Sequence, residues 1–323
     1  MQFRQGTIST LLFASLVIPG MTQSVDNAQA PDVNHQYRLF DLGIWGAVAG
    51  INDRGQVAGK DNATGHAFLW EDGKITDLGT LTGDPYEYTA ATGINNQGEV
   101  VGVSWRVEST HGFLWKKGEF TDLGTFQTSK INNHSMIAGG FAVGNTSHAG
   151  IWYRGKVNDL GTLGGSGSFA TAINNRGQVV GNSNVGAALH GFIWENGKMR
   201  DLGTLGGDYT EVTDINDQGQ IVGSSLTSQR EGHGFIWQKG KMIDIGAIYP
   251  VGINNRGQVT GDLLVGFETA HAVLWDHGTI TDLGTLSTLL INSHAWGINN
   301  RGQVVGYANE ASYDGEVFIG SPE

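Results

Sequence analysis

Hydrophobic positions in this sequence come in short bursts, broken at close intervals by Gly, Asn and Asp. Beyond residue 36 no helix-length window carries a clean 3.6-residue period, so the pattern predicts strands and turns throughout. Residues 170–203 show the unit. Small residues (Ala170-Thr171-Ala172) lead to Ile173 and predict a first strand in a crowded position. Gly177-Gln178-Val179-Val180-Gly181 predicts a second. Between them Asn175-Arg176-Gly177 fits a three-residue hairpin, a type I turn followed by Gly in the left-handed region. His190-Gly191-Phe192-Ile193-Trp194 predicts a third strand. Asn196-Gly197, like Asp72-Gly73, then fits a type I′ hairpin, which needs positive φ at both central positions. Strand four, residues 198–203, ends in Asp-Leu-Gly. Strand three is apolar on both sides, so both faces of each sheet must be covered.

The unit repeats. Residues 173–181 recur letter for letter at 298–306, and the same block starts seven times, at Ile51, Ile94, Ile131, Ile173, Ile215, Ile253 and Ile298. A block of the form His-(Gly/Ala)-(Phe/Gly/Val)-(Leu/Ile)-Trp starts at His66, His111, His148, His190, His233 and His271. Asp-(Leu/Ile)-Gly starts at Asp41, Asp77, Asp122, Asp159, Asp201, Asp244 and Asp282. A spacing near 40 residues is that of propeller blades and some solenoids. The chain opens on a strand-four block, residues 37–43, and ends just after a strand-three block, residues 316–320. Seven full sheets therefore exist only if the first strand joins the last unit, and an open stack would leave two raw edges. The expectation is an all-β, seven-bladed β-propeller with four-stranded antiparallel blades, a single domain over residues 36–323, closed by its N-terminal strand.

The literal His66-Ala67-Phe68, followed by Leu69-Trp70, together with Ile-Asn-Asn-x-Gly and Asp-Leu-Gly-Thr-Leu, resembles the HAF repeat family of extracellular proteins. The resemblance covers roughly residues 37–320. It implies secretion, mostly in bacteria, and a repeat architecture; it implies no established activity. Two copies depart from the pattern. His134-Ser135 replaces the turn Arg-Gly and Gly150 replaces Phe in the third; Glu316 and Gly320 stand for His and Trp in the seventh.

Composition narrows the function classes. Gly is abundant, at 51 residues against five Pro, without the collagen period, which fits many tight turns. The net charge of −12 is spread along the chain, against nucleic acid as a partner. There is no cysteine, which excludes disulfides and thiolate metal sites. Residues 1–30 carry Arg4, an apolar stretch from about residue 8 to 18 and an Ala28-Gln29-Ala30 motif, the pattern of a secretory signal whose cleavage point Pro31 obscures. The apolar part is too short to span a bilayer and no second one follows, so membrane insertion is not expected. A monomer is expected, extracellular or periplasmic.

The recurrent histidines invite a metal, but one per unit around a ring cannot converge on one ion, so no metal and no cofactor is expected. They read as buried polar links to a turn backbone or to the Asp-Leu-Gly carboxylate, since buried polar groups need partners. Nucleophile-elbow, zinc-protease, P-loop and EF-hand motifs are missing. Function is expected where the repeats disagree: on the rim made by the two-to-three loops and the unit-to-unit loops. That rim carries the candidate ligand-binding residues Trp45, Tyr86, Tyr88, Trp105, Tyr209 and Trp296, near carboxylates and amides, a combination suited to an extracellular glycan or protein ligand. An enzyme of the glycosidase or lyase type is the alternative. It would draw on Glu87, Glu211 and Asp214, two of which would have to lie within about 5–9.5 Å of one another. A purely structural surface protein is the third reading.

Overall fold

The computed structural model describes residues 37–106, 109–266, 269–310 and 314–322; the expected signal, residues 1–30, lies outside them. Among the described residues there are 27 strands and no helix. Unit one comprises β1 (Tyr37–Ile51), β2 (Val57–Asp61), β3 (His66–Glu71) and β4 (Lys74–Gly79). Unit two has β5 (Tyr88–Ile94), β6 (Val100–Arg106), β7 (Ser109–Lys116) and β8 (Glu119–Asp122). Unit three has β9 (Gln127–Ile131), β10 (Ile137–Val143), β11 (Thr146–Tyr153) and β12 (Lys156–Gly161). Unit four has β13 (Ser168–Ile173), β14 (Val179–Val185), β15 (Ala188–Glu195) and β16 (Lys198–Asp201). Unit five has β17 (Gly206–Ile215), β18 (Ile221–Thr227), β19 (Gly232–Gln238) and β20 (Lys241–Asp244). Unit six has β21 (Ile248–Ile253), β22 (Val259–Gly266), β23 (Thr269–Asp276) and β24 (Thr279–Asp282). Unit seven supplies β25 (Asn292–Ile298), β26 (Val304–Asn309) and β27 (Gly315–Pro322).

Within each unit the strands pair in sequence order and antiparallel. Units two, three and six are separate four-stranded sheets; units four and five are joined by one parallel pair, Leu189 opposite Tyr209. Unit seven continues into unit one because β1 serves twice. Its first part pairs with β27, from Tyr37 opposite Pro322 to Gly46 opposite Gly315. Its last part pairs with β2, from Gly46 opposite Asp61 to Ile51 opposite Val57. The pairing expected of residues 37–43 is present.

The turns follow the chemistry of their residues. The three-residue hairpins place Gly55, Gly98, Gly177, Gly219, Gly257 and Gly302 at positive φ, and Ser135 takes that strained place (φ 57°) in unit three. The two-residue hairpins hold Asp72 and Gly73, or Asn196 and Gly197, both at positive φ as type I′ requires.

The core consists of seven clusters, each made by two consecutive units. Between units one and two lie Ala58, Ala67, Leu69 and Leu78 against Val100 and Phe113. Between units seven and one lie Val305, Val317 and Ile319 against Leu42, Ile44, Val48, Val57 and Phe68. Strand three carries most of this burial: Phe68, Phe113, Phe192, Phe235 and Phe318 are almost fully enclosed. In unit three Gly150 leaves that place empty. A Cβ there would meet Phe141 at 2.9 Å and Phe126 at 3.2 Å, so one ring from β10 and one from the connection before β9 fill the gap. In unit seven Phe318 keeps the aromatic position although Glu316 and Gly320 replace His and Trp.

Candidate functional site

Every strand reverses the chain, so connections alternate between two rims. The turn rim belongs to the recurrent residues. In each Ile-Asn-Asn/Asp block the first Asn is buried, and its side-chain amide donates to the carbonyl of the corresponding Asn in the next unit. The sequence runs Asn52 to Asn95 (2.9 Å), Asn95 to Asn132, Asn132 to Asn174, Asn174 to Asn216, Asn216 to Asn254 and Asn254 to Asn299. Asn299 then donates to the Asn52 carbonyl at 3.0 Å. The circuit returns to its start. A second circuit runs beside it through the following residue: the backbone N–H of each donates to the side-chain oxygen of the next, from Asp53 through Asn96, Asn133, Asn175, Asp217, Asn255 and Asn300 back to Asp53. Together these residues and the seven Ile line one central depression. The first-Asn amides and the N–H groups of the residues that follow them are committed to one another, which supports a scaffold role for the depression.

The Asp-Leu-Gly blocks are committed as well. Each Asp accepts from the N–H of the Gly two residues on, as Asp201 does from Gly203 at 2.8 Å. In six units the same carboxylate meets a histidine Nδ1, at 2.7 Å for His190–Asp201 and His271–Asp282 and at 3.0 Å for His66–Asp77. The partner is the one expected, but the location is not. The His side chains are 20–38% exposed, so these links lie at the outer part of the sheet and are not buried. In that half-wet position the bond orders a turn and costs little desolvation. No group of three or more potential ligands among the described residues could hold a metal ion.

The loop rim holds the candidates, and it sorts them. Trp45, Tyr86, Tyr88 and Trp105 gather around units one and two. Tyr88, the first residue of β5, lies opposite Trp105 on β6, with ring centroids 5.9 Å apart and planes 22° apart. The Tyr88 ring rests on Gly65, where a Cβ would approach it to 2.7 Å, so only glycine lets the ring lie there. The Lys60 ammonium sits over the Trp105 ring at 5.5 Å. Tyr86 is 83% exposed and Tyr88 50%. Asp84 pairs with Arg106 at 2.8 Å and accepts the Tyr86 N–H at 2.9 Å; the N–H and the guanidinium hold its carboxyl below the usual carboxylate range. Trp45 is 48% exposed, and its carbonyl accepts from Asn62 N, beside the loop that ends in Gly65.

Tyr209 and Trp296 are placed differently. Tyr209 is half-buried, and its hydroxyl donates to Glu211 at 2.9 Å; burial, with the Glu211 charge, pushes its pKa up. Trp296 packs against the cluster between units seven and one, and touches Tyr307. It is the residue skipped where β25 pairs with β26, a place that Ala49, Thr171 and Thr213 fill in other units.

The three carboxylates of the enzyme alternative each have private partners. Glu87 is buried and accepts from the Thr82 N–H and hydroxyl and from the Ser104 hydroxyl. Burial pushes its pKa up, but those bonds prevail and hold it down. Glu211 holds Tyr209. Asp214 accepts the Ile253 N–H at 3.1 Å; burial pushes its carboxyl up, against the pull of Lys130. Lys60 and Gly65 escaped the sequence reading. Their signal was positional: the residue after the last Gly of strand two faces the next unit, as Asp262 does in meeting His294 at 2.8 Å.

No family model matches the chain, and no curated protein matches it by sequence. Solved structures do. The chain is similar to YCF48 bound to D1 peptide (11% identity, 91% of this chain and 99% of that one, TM-score 0.59). It is similar to the β-propeller domain of the Trilobed protease from Pyrococcus furiosus, which has an open Velcro topology (12%, 86% and 94%, TM-score 0.54). It is also similar to TolB from Acinetobacter baumannii (10%, 88% of this chain, TM-score 0.51), of whose length it spans 65%. At such identities the likeness carries the fold alone, and the fold is a β-propeller.

Proposed function

We propose that the seven units close into a seven-bladed propeller spanning residues 36–323, and that this single domain is a secreted binding module for a glycan or protein ligand on its loop rim. Closure is supported by β1 pairing with β27, by the two hydrogen-bond circuits that cross from unit seven to unit one, and by the core cluster between those units. Secretion is supported by the pattern in residues 1–30 and by the resemblance of the repeated blocks to the HAF repeat family.

One observation carries the binding reading. The recurrent polar residues are consumed by the scaffold, while Trp45, Tyr86 and Tyr88 stand exposed, with Trp105 half-buried beside Tyr88, where the repeats differ. A protein ligand has a parallel in YCF48, a structural neighbour bound to a peptide. The test is a glycan and peptide array probed with residues 31–323, with hydrolysis products assayed from every hit. Tyr86→Ala, Tyr88→Ala and Trp105→Ala should lose the hit, while Arg176→Ala and Lys198→Ala, on the turn rim, keep it. Loss in the turn-rim variants with retention in the aromatic ones would place recognition on the other face. A hydrolysed hit would replace the binding module by an enzyme.

A further inference from the structure

We infer that the Tyr86–Tyr88–Trp105 platform is a carbohydrate site, and that its ligand is a neutral saccharide. This rests on the loop rim being the recognition face. Three features of the platform favour a sugar. Two of its rings are held in place, Tyr88 against Gly65 and beside Trp105, and Trp105 under Lys60, while Tyr86, two residues before Tyr88, stands exposed, so the platform is set before any ligand arrives. Flat, preorganised aromatic faces suit the C–H surface of a pyranose, whose rings carry few rotatable bonds to freeze. At the platform's edge Asp84 and Arg106 stand 2.8 Å apart, a carboxylate acceptor beside a guanidinium donor, and adjacent ring hydroxyls can bridge such a pair.

A peptide fits less well. Extended peptides draw their affinity from the free edge of a sheet. Here β6, which carries Trp105 and Arg106, is paired on both sides, with β5 and β7. The other side of β5, which carries Tyr88, is an unpaired edge, but there the Thr89 N–H already donates to the Gly65 carbonyl at 3.1 Å, so a ligand at the platform is held by rings and side-chain polar groups.

Charge selects among sugars. Lys60 and Arg106 stand beside Asp61 and Asp84, so the platform carries no excess of positive charge to draw an anion. With a net charge of −12 on the chain, a polyuronate or sulfated glycan approaches against repulsion, and a neutral saccharide does not.

Affinity electrophoresis of residues 31–323 through gels containing soluble neutral polysaccharides (glucomannan, xyloglucan, galactomannan) tests this, with polygalacturonate gels and a peptide library as the other arms. At least one neutral polysaccharide should retard the protein, and polygalacturonate should not. Trp105→Ala and Tyr88→Ala should weaken retardation at least tenfold. Tyr86→Ala removes a side chain too exposed to affect folding and should weaken it severalfold, and Asp84→Asn likewise. Tyr209→Ala should leave it unchanged. Retardation that survives Tyr86→Ala, Tyr88→Ala and Trp105→Ala together overturns the site. Stronger binding to polygalacturonate overturns the neutral assignment. Peptide binding lost in the same variants, with no glycan binding, overturns the sugar and leaves the binding module standing; binding to neither class overturns both.

Discussion

Whether the ring is closed can be decided by two substitutions that are matched everywhere except at the junction of the chain's ends. Asp53 and Asp217 are the two carboxylates in the second turn-rim circuit. Each accepts three hydrogen bonds, all from other units. Asp217 takes the Asn175 backbone N–H (2.8 Å), the Asn175 side-chain amide (3.0 Å) and the Asn255 amide (3.0 Å), from units four and six. Asp53 takes the Asn300 backbone N–H (2.8 Å) and side-chain amide (2.9 Å), from unit seven, and the Asn96 amide (2.8 Å), from unit two. Both side chains are half-buried. At about 1 kcal/mol per bond, discounted from the value for fully buried charged acceptors, each Asp→Ala change should cost about 2–3 kcal/mol.

In a closed ring the two variants lose equal stability in urea unfolding monitored by tryptophan fluorescence. In a ring open between units seven and one, two of the three Asp53 bonds do not exist. Asp53→Ala would then cost about 1 kcal/mol or less, while Asp217→Ala keeps its full effect. That inequality would refute closure; near-zero effects at both sites would refute the circuit itself. A chemical control is built in. Asp217→Asn keeps an acceptor for the Asn175 N–H but turns an amide toward the amides of Asn175 and Asn255, so it should recover less than half of the loss.

Deleting residues 37–43 should expose the edge of β27 and lower the melting temperature or cause aggregation, measured by calorimetry and light scattering; an unchanged melt would contradict the strand exchange. Phe192→Ala empties a fully buried site between units three and four and should cost about 3–5 kcal/mol in urea unfolding. The Asp282 hydrogen bond raises the His271 pKa, so its stabilisation is full below about pH 6.5 and lost as pH climbs through the folded value; His271→Gln should flatten the stability profile there. Glu99 is buried, which pushes its carboxyl up, but Lys116 (2.6 Å), Ser135 and Asn95 prevail and hold it low. Its contribution is therefore present above about pH 4.3 and lost as pH falls through the folded value, and Glu99→Gln should make acid unfolding less steep.

The unit was legible because its signals are local. A period-2 strand, an Asn-Arg-Gly hairpin and an Asp-Gly turn each follow from a few adjacent residues, and seven copies reinforce each reading. What stayed hidden depends on which surfaces face each other across neighbouring units. Gly150 looks like a defect in the sequence, yet Phe141 from β10 and Phe126 from the connection before β9 fill its place. Trp296 looked like a rim anchor, yet the skipped position in β25 turns it onto the unit seven to unit one cluster. The His-Asp links were paired correctly but placed too deep, because sequence spacing fixes partners along a hairpin and not its distance from solvent. Lys60 belongs to the platform only because strand two of one unit leans on strand one of the next, which brings its ammonium over the Trp105 ring.

The same division explains why one rim is free to change. The side chain of a residue such as Asn174 makes four hydrogen bonds, within its own turn and to unit five, so a substitution there disturbs two units at once. Arg54 reaches across the next unit's turn so closely that a Cβ on Gly98 would meet its guanidinium at 2.6 Å, which binds the turn-rim residues into a chain of mutual constraint. On the loop rim the dependence is far looser. Removing Tyr86 breaks no side-chain bond, and the exposed Asp84–Arg106 pair contributes little to stability. Residues of the turn-rim circuits cannot vary independently, and the exposed residues of the loop rim can. The aromatic cluster of units one and two is therefore where this scaffold can acquire a specificity without losing its fold.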